Sequence, residues 1–178
     1  MYFDLVRQLR YNACLGSYDA QSCYDRVVHS YTSIAARSVG TPKNIINTMF
    51  KAIQKMKFHL RTGFGDSDTT YQCEDDSHPY QGYCQGNGAA PSLWLLISAF
   101  IILYMKSAGH TMKLLSSLAQ EVLSYTTLMF VDDGDFPTIA HSSEEPITSV
   151  ITRHQETVNC WSAGLRVTGG ALKPEKCF

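Results

Sequence analysis

The chain is short of charge, has no paired cysteines and contains no apolar run long enough for a bilayer, and each shortage narrows what it can be. Charged residues make up 17% of the 178, and the net charge is −1. A complete nucleic-acid enzyme ordinarily carries a basic face, so this balance argues against a self-sufficient one. The longest apolar run, Leu93 to Met105, is broken only by Ser98 and falls short of the roughly 20 residues a membrane span needs. Following Pro91, it reads as a buried core helix with no membrane partner. The six cysteines, Cys14, Cys23, Cys73, Cys84, Cys160 and Cys177, are scattered without a CxxC pair, and no signal peptide begins at Met1. The expected state is reduced thiols in an intracellular compartment, cytoplasmic or nuclear, not secreted.

What is present is a 44% hydrophobic composition, enough for one domain with a sizeable core. Residues 1–12 read as the tail of a longer element. Ala13 to Asp19 reads as a short strand ending in an acid. Helical spacing of Val27, Val28, Tyr31, Ile34 and Ala35 runs up to Gly40. Thr41-Pro42 supplies an N-cap and first-turn proline for a helix whose apolar face holds Ile45, Ile46, Met49, Phe50, Ile53 and Met56. Lys57 to Gly65 alternates as a strand; 66–89 is loop-like, with a strand near Thr70-Tyr71-Gln72. A helix is expected over Pro91 to Lys106 and another over His110 to Gln120. An acidic hairpin follows, its return strand an edge because it contains Pro137. Ser142 and Glu145 have capping-box spacing before a stripe of Ile147, Val150, Ile151, His154, Val158 and Trp161. Gly164 to Val167 and Leu172 to Phe178 read as extended pieces. Mixed elements in this order predict an α+β fold, with helices packed on one face of an antiparallel sheet.

Three stretches carry chemistry. In Phe130-Val131-Asp132-Asp133-Gly134-Asp135, an apolar strand ends in adjacent carboxylates, with Asp133-Gly134 as the hairpin signal and Asp135 in the turn. Paired carboxylates repel unless a cation sits between them, and magnesium takes such oxygen ligands; an ordinary acidic turn is the alternative. In Tyr18-Asp19 through Arg26, an acid again ends a strand, and Asp25 either supports this loop or pairs with a neighbouring cation. In Gly82-Tyr83-Cys84-Gln85-Gly86 through Trp94, glycines before a helix let backbone N–H groups approach a ligand. With no Gly-Lys-Ser/Thr it is neither a P-loop nor a dinucleotide fingerprint, and a plain turn is the alternative. Lys176 alone would be an ordinary surface lysine. Lys51, Lys55, Lys57, His59 and Arg61 either track a phosphate backbone or form a solvated face. Cys73, His78 and Cys84 lack a fourth zinc partner, and His154 reads as a satisfied core histidine.

Taken in order, these stretches resemble the palm of reverse transcriptases, specifically those of retrotransposons. Asp19 to Arg26 is similar to the palm's first motif. Gly82, Gln85, Gly86, Pro91 and Leu93 match GxxQGxxxSPxLF, with Ala90 for its Ser and Trp94 for its Phe. Phe130 to Asp133 matches the (Tyr/Phe)-x-Asp-Asp box, and Lys176-Cys177 the lysine motif after it. The resemblance covers nearly the whole chain. It implies an RNA-directed DNA polymerase in which Asp19, Asp132 and Asp133 hold two Mg2+ ions, with Mn2+ able to substitute. Tyr24 would exclude a 2′-hydroxyl, Gln85 and Gly86 would line the nucleotide pocket, and Lys176 would donate a proton to the leaving group. The partners implied are an RNA template, a DNA or RNA primer, deoxynucleoside triphosphates, and the fingers, thumb and RNase H or endonuclease domains of a longer polyprotein. RNA-dependent RNA polymerases place Asp where Tyr24 stands and Gly where Val131 stands, so DNA synthesis is the better match. The alternatives are a decayed or domesticated palm serving as a nucleic-acid-binding or assembly module, and an unrelated magnesium-dependent nuclease.

Overall fold

A computed structural model of the chain describes residues 2–71, 80–115 and 121–178. They fall into two compact units, one of residues 1–23 with 97–178 and the other of residues 24–96. The fold is α+β, built on antiparallel sheets.

In the first unit, helix α1 (Tyr2–Leu9) leads into strand β1 (Ala13–Asp19). β1 pairs antiparallel with β7 (Asp133–Ile139) along its whole length, from Ala13↔Ile139 to Asp19↔Asp133, and β6 (Leu128–Phe130) covers β7 only as far as Asp135. The order β1-β7-β6 therefore makes β7 the central strand, not the expected edge. Pro137 is accommodated because Ala140 N–H bonds Asn12 C=O and Ala20 N–H bonds Asp132 C=O. That phase points the nitrogen of Pro137 away from β1, to the side where β6 has already ended, so no ladder bond is lost.

Side chains alternate across this sheet. Phe136 stands against Trp161, ring centroids 5.6 Å apart, and Tyr18 and Thr138 meet His154, all on helix α6 (Ile147–Val167). The opposite face carries Asp19, Asp133 and Asp135. The helix buries Val150, His154, Val158 and Trp161 of the expected stripe, leaves Ile147 and Ile151 exposed, and adds Leu165. It also absorbs Gly164 to Val167, expected to be extended: a Cβ at Gly164 would lie 2.4 Å from Ile101 Cγ2, so glycine here permits close helix packing and does not end the helix. The capping box is not formed. Pro146 is the N-cap, and the Glu145 carboxylate instead accepts the His141 N–H at 2.6 Å and the Arg153 guanidinium at 2.6 Å, contacts that hold it below the usual carboxylate range.

Helix α5 (Ala90–Ser107) buries Trp94, Ile97, Ile101 and Met105 but exposes Leu95, Leu103 and Tyr104, so it is one-sided where a wholly buried helix was expected. By length and composition alone the whole helix is apolar enough to cross a membrane, which the shorter run Leu93 to Met105 does not suggest. Gly109 ends it at φ 90°, with Gly109 N–H bonding Lys106 C=O and His110 N–H bonding Met105 C=O. The helix expected over His110 to Gln120 is instead strand β4 (Met112–Leu115), paired with β5 (Val122–Tyr125), residues 116–120 lying outside the described ones. Apolar residues at 112, 114 and 115 suit either period, and cross-strand pairing decides between them.

In the second unit, helices α2 (Cys23–Arg26), α3 (His29–Ser38) and α4 (Lys43–Gln54) precede a hairpin of β2 (Phe58–Thr62) and β3 (Gly65–Tyr71). The N-cap of α4 is Pro42, with no side-chain cap bond from Thr41. Strand β3 begins earlier than expected; Gln72, Cys73 and His78 lie outside the described residues.

Candidate active site

The acidic stretch forms a hairpin whose loop is Val131-Asp132, because Phe130 pairs with Asp133. The turn is thus earlier than Asp133-Gly134, and Asp135 sits on β7 opposite Ser17, not in the turn. Gly134 is a glycine for packing: a Cβ there would lie 2.9 Å from both Met129 Sδ and a Phe136 ring carbon. The turn's positive φ falls on Val131, at 58°. A β-branched residue there is strained by roughly 1–3 kcal/mol, so the surrounding ladder must hold it in place.

This register brings the acids together. Asp19 and Asp133 are directly opposite across β1 and β7, hence on one face with closely spaced Cβ atoms. Asp132 occupies the adjoining turn, tied to β1 through its carbonyl, which accepts the Ala20 N–H at 2.9 Å. Like charges directly opposite are destabilising, and a lysine answers them. The ammonium of Lys176, on a 3-10 turn Pro174–Lys176, lies 3.0 Å from Asp19 Oδ2. Its pKa is raised by that hydrogen bond and charge first, and by Asp132 and Asp133 after them. Asp19 is 6% exposed, beneath this contact. The terminal segment reaches it by running along β1: Gln21 N–H bonds Ala171 C=O, Lys173 N–H bonds Asp19 C=O, and Ser17 and Phe178 exchange two backbone bonds. Leu172 bridges Ala20, so this piece is part strand and part 3-10 turn. Phe130, Leu128 and Leu15 stand exposed on the acids' face, Phe130 by 80%. Among the described residues, no three His, Cys, Asp or Glu side chains stand in a metal-holding arrangement.

The other expected site residues, Tyr24, Gln85 and Gly86, lie in the second unit and are neighbours there. Tyr83 N–H bonds Tyr24 C=O at 2.6 Å, Gly82 N–H bonds Val27 C=O at 2.8 Å, and Gln85 N–H bonds Asp25 Oδ1 at 3.2 Å. Asp25 therefore supports the glycine-rich loop. Gly82, at φ 80°, lets it settle directly on the chain after Tyr24: a Cβ would lie 2.5 Å from the Asp25 carbonyl. Gly86 needs its glycine for φ 92° alone, with open space where a side chain would be. Tyr24 is half-buried; Gln85 and Gly86 are exposed.

Three anchors of this loop escape sequence reading. Tyr83 is fully buried, its hydroxyl bonded to Thr32. His29 donates from Nε2 to the Gly82 carbonyl, accepts at Nδ1 from the Gln54 side-chain amide at 3.0 Å, and stacks on Phe50 with centroids 4.2 Å apart. These partners are distant in sequence, so no local pattern announces them. His154 is likewise satisfied, by Tyr18 at 2.8 Å and Thr138 at 3.0 Å.

Burial holds both His29 and His154 below the ordinary histidine value of 6.5. The unfolded chain then binds protons more readily than the folded one, so their contribution is complete above about pH 6.5 and is lost as pH falls towards the lowered folded values. Urea midpoints should decline as pH drops from about 7.5 to about 5.5. His154→Gln should flatten part of that decline, and an unchanged slope would contradict the assignment.

No protein-family model and no curated protein matches this chain. Solved structures do. The chain is similar to telomerase from Candida tropicalis in complex with the TWJ fragment of telomeric RNA, with TM-score 0.61 and 14% identity over 99% of this chain and 27% of that one. It is similar to apo telomerase from the same organism, TM-score 0.56 and 13% identity over 99% and 30%. Telomerase from Candida albicans with the TWJ fragment gives 0.53 and 10% over 99% and 28%. The fold is similar to a part of these telomerase chains. At these identities the likeness speaks for fold alone, and the chain spans less than a third of each telomerase chain.

Proposed function

We propose that this chain is the palm of an RNA-directed DNA polymerase of the retrotransposon kind, adding deoxynucleotides to a primer 3′-hydroxyl. The observation that carries the reading is the register of β1 with β7, which sets Asp19 opposite Asp133, with Asp132 in the adjoining turn and Lys176 against them. Those residues come from three separate motifs of the sequence. The telomerase-like fold supports the same conclusion.

In this reading Asp19, Asp132 and Asp133, which do not stand in a metal-holding arrangement as folded here, would supply carboxylate oxygens to magnesium, a hard cation suited to them. When bound, the metal supplies charge stabilisation at the attacking and leaving oxygens of phosphoryl transfer. The chain's own residues do the rest. Lys176 is positioned as proton donor to the leaving group. Tyr24, braced through its carbonyl by the Tyr83 N–H, bars a 2′-hydroxyl, and Gln85 and Gly86 line the nucleotide pocket. Template RNA, primer and triphosphate are the partners, and the fingers and thumb of the parent protein complete their binding.

The test compares deoxynucleotide with ribonucleotide incorporation on an RNA template, using a version of the protein extended at both ends. Wild type should make DNA, and Tyr24→Ala should admit ribonucleotides at least about tenfold better. Unchanged sugar selectivity would remove Tyr24 from this role; absence of any DNA product would remove the polymerase reading. A domesticated palm that only binds nucleic acid is the second reading. The exposed Lys51, Lys55 and Lys57, independent of the acids, favour it.

A further inference from the structure

The net charge of −1 conceals a segregation of charge along the chain. Seven of the 15 basic residues and none of the 16 acidic ones fall between Arg26 and Gly65. All seven are exposed. Arg61 is held by Asp66 at 2.7 Å, but Lys43, Lys51, Lys55 and Lys57 have no ion-pair partner among the described residues. Helix α4 sets three of these lysines in order. Lys43, Asn47, Lys51 and Lys55 succeed one another at four-residue intervals, all exposed, with Lys55 as the C-cap. At 1.5 Å per residue the row runs for about 18 Å. Like charges four residues apart weaken a helix, and no acid lies in the run to relieve them, so the row is no aid to the fold. The other side of α4 is packed: Ile46, Phe50 and Ile53 are buried, Phe50 stacks on His29, and Gln54 bonds the same imidazole. The row therefore stands on a rigid element, and a partner that settles on it has little backbone to order.

We propose that the lysine row of α4 is a docking surface for a nucleic-acid strand, held through its phosphates. Phosphate contacts need only cations and polar donors, which lysine and asparagine supply, and they position a strand without reading its sequence. A membrane-surface helix needs an apolar face to insert, and that of α4 is already buried. A protein partner is ordinarily anchored by apolar or aromatic side chains in closely packed pockets, and the row offers none. The surface uses none of the acids, and the inference shares with the readings above only that nucleic acid is the partner.

The experiment titrates the 178-residue chain into a short fluorescently labelled single-stranded RNA at several salt concentrations, with EDTA present so that metal-dependent chemistry takes no part. Wild type is compared with the double variants Lys51→Gln, Lys55→Gln and Lys106→Gln, Lys113→Gln, which make the same change of charge. Loss of two phosphate contacts should weaken binding about tenfold and reduce the slope of log affinity against log salt by about 1.4. The Lys106, Lys113 variant should stay within about twofold of wild type. Unlabelled RNA should displace the probe at least about tenfold better than poly-glutamate of matched charge or phosphatidylserine vesicles. The proposal is overturned if wild type does not bind the RNA, if the Lys51, Lys55 variant binds as wild type does, or if the control pair loses as much. Stronger displacement by poly-glutamate or by the vesicles would give the row to that partner instead. Glutamine keeps helix propensity close to that of lysine, so urea midpoints of all three chains should agree; if the Lys51, Lys55 pair does not fold, Lys55→Gln alone should show half the change in slope. A failure of primer extension would leave this result untouched, and the reverse holds as well.

Discussion

Asp132→Asn should reduce RNA-templated primer extension by about a thousandfold while leaving the fold intact. The size follows from the proposed role of Asp132 as a metal ligand, since losing a single electrostatic contact at a reacting centre costs about 10²–10³ in rate. The sparing of the fold follows from geometry. Asp132 is held by its backbone, whose carbonyl accepts the Ala20 N–H at 2.9 Å. Asparagine keeps that bond and is at home in a tight turn. Unfolding free energies of the variant and the wild type, from urea titrations, should therefore agree within about 0.5 kcal/mol. A variant that loses activity only in proportion to its loss of stability would show Asp132 to be structural. Asp19→Asn should lose activity to a similar degree. It also strands the Lys176 ammonium, so a modest stability change is expected there too.

Gly82→Ala should damage both stability and nucleotide binding. Two costs combine at this position. The backbone has φ 80°, a conformation that costs an L residue about 1 kcal/mol. The added Cβ would also lie 2.5 Å from the carbonyl carbon and oxygen of Asp25, backbone atoms that cannot rotate away. The loop must lift, breaking the Gly82–Val27 and Tyr83–Tyr24 backbone bonds and disturbing the buried Tyr83 beneath them. A loss of about 2–4 kcal/mol is expected. The Michaelis constant for the incoming deoxynucleotide should rise with it, because Tyr24 is braced by the Tyr83 bond and the same loop carries Gln85, whose N–H bonds the Asp25 carboxylate. Gly86→Ala meets open space and pays only for its φ, so it should cost about 1 kcal/mol. Equal effects at the two glycines would contradict the close approach of the loop to Asp25.

The contrast between these glycines also shows how much the sequence discloses. Strand β1, the long helices α5 and α6 and the acidic hairpin are visible in it as elements, although the end of α6 and the turn of the hairpin are not. The Asp19–Asp133 pairing is not visible, since it depends on a register between strands far apart in the chain. Gly134 looks like a turn residue because Asp-Gly usually is one. Its true reason, room for Met129 and Phe136, exists only once the sheet is assembled. Pro137 suggests an edge strand for a sound reason, yet β6 stops short of it and removes the penalty. The segment over Met112 to Leu115 carries apolar residues compatible with a helix, and pairing with Val122 to Tyr125 makes it a strand. Asp25 is offered by the sequence as a loop support, but His29 and Thr32, which also hold the glycine-rich loop, are polar residues in unexceptional surroundings. Only tertiary contacts give them a role.

The most direct test of the central claim is one gel. A labelled primer annealed to an RNA template is incubated with Mg2+, four deoxynucleotides and the protein extended at both ends, beside its Asp132→Asn, Asp133→Asn double variant. The account predicts a ladder of longer products from the wild type and an unchanged primer from the variant. A primer shortened by the wild type would mean that the acids cut nucleic acid and do not extend it. A ladder of equal strength from both proteins would mean that these aspartates are not the catalytic centre.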